Sequence, residues 1–176
     1  MSIWLGIDPG KAGGIARLDT MERPLHRLKF YPMPLVEGVW NPWKMAEMIQ
    51  IWALNGVEQV IIEQCHAFPG ISAAANASVM EAYGMWWGAL AGRFRADQII
   101  ATPAQTWKKA MDLLVPIVKV GRIATPKEKQ VTYKARKQKA LAMARHEFGL
   151  PFATPGGRDL DGEAEAALIA LYGSRL

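Results

Sequence analysis

The sequence predicts an α/β domain spanning 1–176, with a five-stranded mixed sheet flanked by helices. Three observations carry this. Three short apolar segments come first, separated by tight turns, the pattern of an antiparallel meander. Two further β-branched segments follow, with helix-length stretches between them, as expected of parallel strands joined by crossovers. Finally, 176 residues with 51% hydrophobic and 21% charged suffice to bury one core, and they exclude disorder as the dominant state.

Each element has a local reason. Ser2 to Ile7 is apolar and Pro9-Gly10 stops it, so the first strand finishes at Asp8. Gly13-Gly14 leads into a second strand, Ile15 to Leu18, and Arg27 to Tyr31 is a third, ended by Pro32 and Pro34. Asn41-Pro42 starts a helix, with Asn as cap and Pro in the first turn, and Asn55-Gly56 ends it. Val57 to Glu63 reads as a strand buried on both faces, because Val60, Ile61 and Ile62 are consecutive. The Ala- and Met-rich run from Ser72 to Arg93 predicts a long helix, and Asp97 to Ala101 the fifth strand.

Thr102-Pro103-Ala104-Gln105 has the form of a capping box, so a helix is expected to open there. Val115 to Gly121 reads as a loop. Thr125-Pro126-Lys127-Glu128 is a second capping box, opening a basic helix toward Phe148 with a break expected near Val131 to Tyr133. Gly149, Pro151, Pro155, Gly156 and Gly157 make a loop before a last helix over Asp161 to Tyr172.

Composition narrows the functional classes. The longest apolar stretch, Met85 to Gly92, is far short of the roughly 20 residues that cross a bilayer. Met1 to Gly6 lacks the basic start of a signal peptide, and the single Cys65 cannot form an internal disulfide, so a reducing cytoplasm is expected. The net charge of +5 is unevenly distributed. Lys108 to Arg145 carries a balance of +9, whereas the rest of the chain is at −4. A concentrated basic block suits a polyanion, since Lys and Arg displace counterions condensed on phosphates. A solvated helix face accounts for the block equally well on composition alone.

The chemistry sits where acids end strands. Asp8 and Glu63 each close an apolar strand, where a carboxylate is costly unless something satisfies it. Asp159-Leu-Asp-Gly-Glu-Ala-Glu165 then places four acids within seven residues of a basic protein. Asp161 and Glu165 are one helical turn apart and share a face. Hard oxygen ligands with no Cys/His cluster select Mg²⁺ or Mn²⁺ over zinc. Carboxylates gathered around two such ions are the arrangement of phosphodiester hydrolysis. Singly, each acid has a plainer role: Asp8 as a turn cap, Glu63 as an ion-pair partner, the last cluster as helix decoration. Their joint presence with the basic block favours the metal site.

Gly6-Ile7-Asp8-Pro9-Gly10, Ile61-Ile62-Glu63-Gln64 and the terminal Asp161-Gly-Glu-Ala-Glu165-Ala helix together resemble the RuvC Holliday junction resolvases of the RNase H-like superfamily. The ending is most similar to the phage-encoded branch. The resemblance implies an RNase H-like fold and a homodimer that cuts two opposed strands of a four-way DNA junction with Mg²⁺ or Mn²⁺, in a bacterial cell or a phage-infected host. Asp8 and Glu63 match the family's first-strand and fourth-strand acids, and Glu165 matches the last. The preceding ligand falls on Gly162, so Asp161 is the substitute, with Asp159 and Glu163 as alternatives.

The resemblance also assigns lysines near Lys108 and Lys137 to the scissile phosphate. Lys109, Lys134, Arg136 and Lys139 accompany them, and Lys11 lies within reach of a phosphate from its place three residues after Asp8. An aromatic past the catalytic strand plays a base-wedging part in the family, which points to Phe68 beside His66; a loop aromatic folded onto the core is the alternative. Gly84, Gly88 and Gly92 recur every four residues on the long helix, at a cost of about 1 kcal/mol each against Ala, so close approach of another backbone is expected. The sheet or a second subunit could provide it, and the family places this helix at its dimer interface. A RuvC-like nuclease on ribosomal RNA precursors and a non-catalytic branched-DNA-binding module are the rival functions. An actin-like or sugar-kinase ATPase needs two such domains.

Overall fold

The computed structural model describes residues 2–21, 28–67, 69, 72–116 and 125–176. Strands β1 (Ile3–Asp8), β2 (Gly14–Asp19) and β3 (Leu28–Pro32) form the expected meander. A small hairpin follows, β4 (Leu35–Val36) with β5 (Val39–Trp40). Helix α1 (Pro42–Leu54) is capped by the Asn41 side chain, which accepts from the Lys44 N–H at 3.0 Å. Then come β6 (Val57–Gln64), α2 (Ala73–Ala91), β7 (Ile99–Pro103), α3 (Ala104–Ala110), α4 (Pro126–Phe148) and α5 (Asp161–Gly173). The main sheet has the order β3-β2-β1-β6-β7, with β1, β6 and β7 parallel.

Strand alternation sorts side chains between two cores. Leu5, Ile7, Ile15, Val60 and Ile62 pack with α1 and α2. Ala16, Leu18 and Ile61 pack with α5, α4 and α3. Asp8 keeps step with Gly6, and Glu63 with Ile61, so both acids project from the α5 face.

Helix α5 is buried almost all round. It lies against β1 and β2 with nearly no side-chain spacer. A Cβ on Gly6 would collide with the backbone of Ala166 and Ala170, and one on Gly14 with that of Gly162 and Glu163. Gly162 in turn is pressed on the Ala12 and Gly13 backbone. Glycine is needed at these positions because the two backbones approach closely. That contact brings the first turns of α5 to the exit of β1.

Four local expectations need correction or completion. Thr102 does not cap a helix; Thr102 and Pro103 extend β7, with Thr102 paired to Glu63, and α3 begins at Ala104 with Pro103 in the cap position and no side-chain cap. The sheet ladder takes these residues first. Helix α4 runs unbroken through Val131 to Tyr133, and its Thr125–Glu128 capping box forms as expected. The β4–β5 hairpin was not foreseen. Its turn is Glu37-Gly38, both at positive φ (51° and 75°), and the usual Asn-Gly or Asp-Gly signal is absent. A short 3₁₀ turn, Ala96–Gln98, takes the place of the first residues expected for the fifth strand. Among the described residues no helix is long and apolar enough to cross a membrane.

Candidate active site

Asp8, Glu63 and Glu165 line one open cleft of about 410 Å³ at the carboxyl ends of β1 and β6. Lys108 of α3 and Tyr133, Arg136 and Lys137 of α4 form its far wall. The acids come from three separate elements, and each is held differently. Asp8 accepts from the Gly10 N–H at 3.3 Å, so the Pro9-Gly10 turn fixes its carboxylate. Glu63 accepts the indole N–H of Trp107 at 2.8 Å. Glu165 is buried beneath two ammonium groups, with Lys108 and Lys137 each 3.5 Å away.

The electrostatics are strained in one direction. Burial, then Glu63 and Glu165, push the Asp8 carboxyl up to about 7. Burial also raises Glu63, partly offset by Lys108 at 3.8 Å and by the Trp107 hydrogen bond. Burial alone would lower Lys137, but Glu165 and Asp8 more than compensate and hold it above its usual value. The cleft therefore has more negative charge than its two lysines neutralise. The nearby Cys65 thiol is pushed up to about 12 by burial and by Glu63 and Asp8, so it is unreactive at neutral pH.

This donor set suits a hard divalent cation: carboxylate oxygens only, with mutual repulsion that a cation relieves. Among the described residues, no three such side chains already converge on one point. The lysine ammoniums lie between them. In chemistry the set fits a metal; as it stands, it is spread around the cleft.

The remaining expected residues fall into distinct places. Asp161 pairs with Lys137 at 3.1 Å and faces a neighbouring cleft with Glu163 and Lys11. It reaches the first cleft through Lys137. Asp159 is taken by Arg145 at 2.7 Å and by Gln138 at 3.5 Å. Gly162 has no room for any side chain, which explains why a ligand cannot stand there. Lys11 donates to the Gly38 carbonyl at 3.1 Å. Arg136 donates through Nε and an Nη to the Val115 carbonyl, at 3.3 and 3.1 Å. Lys139 pairs with Asp112 at 3.2 Å. Lys109, Lys134 and His66 are exposed outside the cleft, and Phe68 lies outside the described residues. Gly84 and Gly88 are exposed with nothing within 4 Å of a would-be Cβ, so the sheet is not the backbone they approach; Gly92 meets only its own helix.

Trp107, Tyr133 and Leu114 were not singled out from the sequence. For Trp107 the available signal is general: a fully buried indole N–H needs an acceptor. For the other two no sequence signal exists.

No family model matches the chain, and no curated protein sequence matches it. Solved structures do. The chain is similar to Thermus thermophilus RuvC in complex with Holliday junction substrate, with TM-score 0.57 and 18% identity over 99% of this chain and 93% of that one. A second Thermus thermophilus RuvC structure has TM-score 0.54 and 17% identity over 98% and 95%. The fold is RuvC-like. This RuvC-like core is the expected RNase H-like arrangement, a five-stranded mixed sheet flanked by helices.

Proposed function

We propose that the chain is a metal-dependent, structure-selective DNA endonuclease that resolves four-way junctions by paired phosphodiester hydrolysis as a homodimer, akin to the phage-encoded resolvases. The observation that supports this best is the gathering of Asp8, Glu63 and Glu165, from β1, β6 and α5, in one cleft walled by Lys108 and Lys137. Likeness in fold to a RuvC seen with Holliday junction substrate points the same way.

In this reading Asp8, Glu63 and Glu165 hold Mg²⁺ or Mn²⁺, with Asp161 as a further candidate. When bound, such ions supply a hydroxide nucleophile and stabilise the leaving oxygen. The chain's own part is positioning. Trp107 and the Gly10 N–H fix the orientation of two of the acids. Lys108 and Lys137 meet the incoming phosphate, exchanging carboxylate partners for its oxygens. Lys109, Lys134 and Lys139 extend the positive field along the duplex arms. Helix α2 contributes the dimer contact through its exposed Gly84 and Gly88. Paired nicks in a four-way junction with Mg²⁺, their loss with chelator, and a dimeric mass in solution test the reading together.

A further inference from the structure

Two large side chains with apolar surface, Tyr133 and Leu114, stand among the charged groups of the cleft lining. They come from two segments, α4 and the stretch after α3. They are 59% and 40% exposed, so both present surface at the cleft. Both are held in place by cations that the family resemblance sets near phosphates. The Arg136 guanidinium clasps the Val115 carbonyl and so pins Leu114 to α4. The Lys137 ammonium stands over the Tyr133 ring, 5.8 Å from its centre.

We infer that Tyr133, with Leu114, forms a stacking platform for a nucleobase beside the cleaved phosphate. This rests on the reading of the cleft as a phosphodiester site. Phosphate and sugar oxygens have no use for Leu114, and of Tyr133 they could use only the hydroxyl, not the ring face. The part of a nucleic acid that does is a base face, and stacking on an aromatic is indifferent to sequence. In an intact duplex those faces are covered by neighbouring bases, whereas bases at the strand-exchange point of a junction are free to leave the stack. The platform therefore selects branched over linear DNA at the cut itself.

The test is equilibrium binding of a four-way junction in metal-free buffer, repeated with abasic sites introduced one at a time around the exchange point. Tyr133→Ala weakens intact-junction binding about tenfold, and Tyr133→Phe restores it. At one abasic position wild type falls to the Tyr133→Ala level, and Tyr133→Ala loses nothing further there. A residue that only steadied Lys137 would give losses that multiply at every abasic position, which overturns the inference. Equal weakening by Tyr133→Phe overturns it too, because the hydroxyl would then be the contact. Junction cleavage without a Tyr133-dependent abasic position overturns this inference alone. Failure to bind any DNA removes it together with the proposed function, whereas Tyr133-dependent binding without cleavage supports it and removes only the nuclease reading.

Discussion

The floor and the wall of the cleft are built on different principles. The floor acids are fixed by the sheet. Asp8 and Glu63 occupy strand ends whose alternation leaves one choice of face, and Glu165 is locked by backbone contact between α5 and the glycines of β1 and β2. The wall cations are fixed only by helical phase and by the partners they find. Lys108 and Lys137 turn into the cleft and Arg136 lines it with its guanidinium held by the Val115 carbonyl, whereas Lys139 is engaged elsewhere and Lys134 faces solvent. The lesson is that charge density along a basic segment overstates the number of groups that face one cleft, whereas an acid at a buried strand end has almost nowhere else to go.

Breaking the floor has the largest effect. Asp8→Asn abolishes junction cleavage while leaving binding intact or tighter, since its charge opposes the phosphate when no metal is bound. Glu165→Gln lowers the single-turnover rate by at least about a hundredfold, as expected for losing a metal-positioning group. The Asp161→Asn variant sharpens the boundary between floor and wall. Its carboxylate meets Lys137 outside the cleft, so a loss of about tenfold is expected, no larger than that of Lys137→Ala. The double variant should lose little more than either alone, which a rate comparison of the three reads directly. An independent hundredfold loss for Asp161→Asn would place it among the floor ligands.

The wall is tested by salt. Lys137→Ala reduces the slope of log affinity against log salt by about one, while Lys134→Ala changes affinity only slightly. Equal slopes for both variants would erase the distinction drawn here.

The smallest effect is on stability. Asp8 has a folded value near 7, above the ordinary 3.8, so the folded protein binds the proton more tightly than the unfolded chain. Stability is accordingly lost as pH rises from about 4 through 7. In metal-free buffer, Asp8→Asn melts a few degrees higher than wild type at pH 8, and the gap closes near pH 4. Thermal melts at the two pH values check it.

Much of this arrangement was legible in the sequence, for physical reasons. The acids at Asp8 and Glu63 stand out because β-branched runs ending in a carboxylate have few peaceful explanations. The last helix was placed to within a residue because its apolar face is continuous. The Thr102 capping box misled because four residues cannot reveal that a neighbouring strand competes for the same backbone groups. The hold on Arg136 was not legible because its carbonyl partner at Val115 lies 21 residues away in sequence. Trp107, Tyr133 and Leu114 acquire their roles only from tertiary placement.

The central claim is that the three floor carboxylates make a metal-dependent junction nuclease. It is tested most directly by single-turnover incubation of a labelled four-way junction with wild type and with Asp8→Asn, each with Mg²⁺, Mn²⁺ or chelator. The account predicts symmetric paired nicks by wild type with either metal, and none with chelator or from Asp8→Asn, which still binds the junction. Wild type that binds the junction but cuts it with neither metal, or a folded Asp8→Asn that cuts at the wild-type rate, would contradict it.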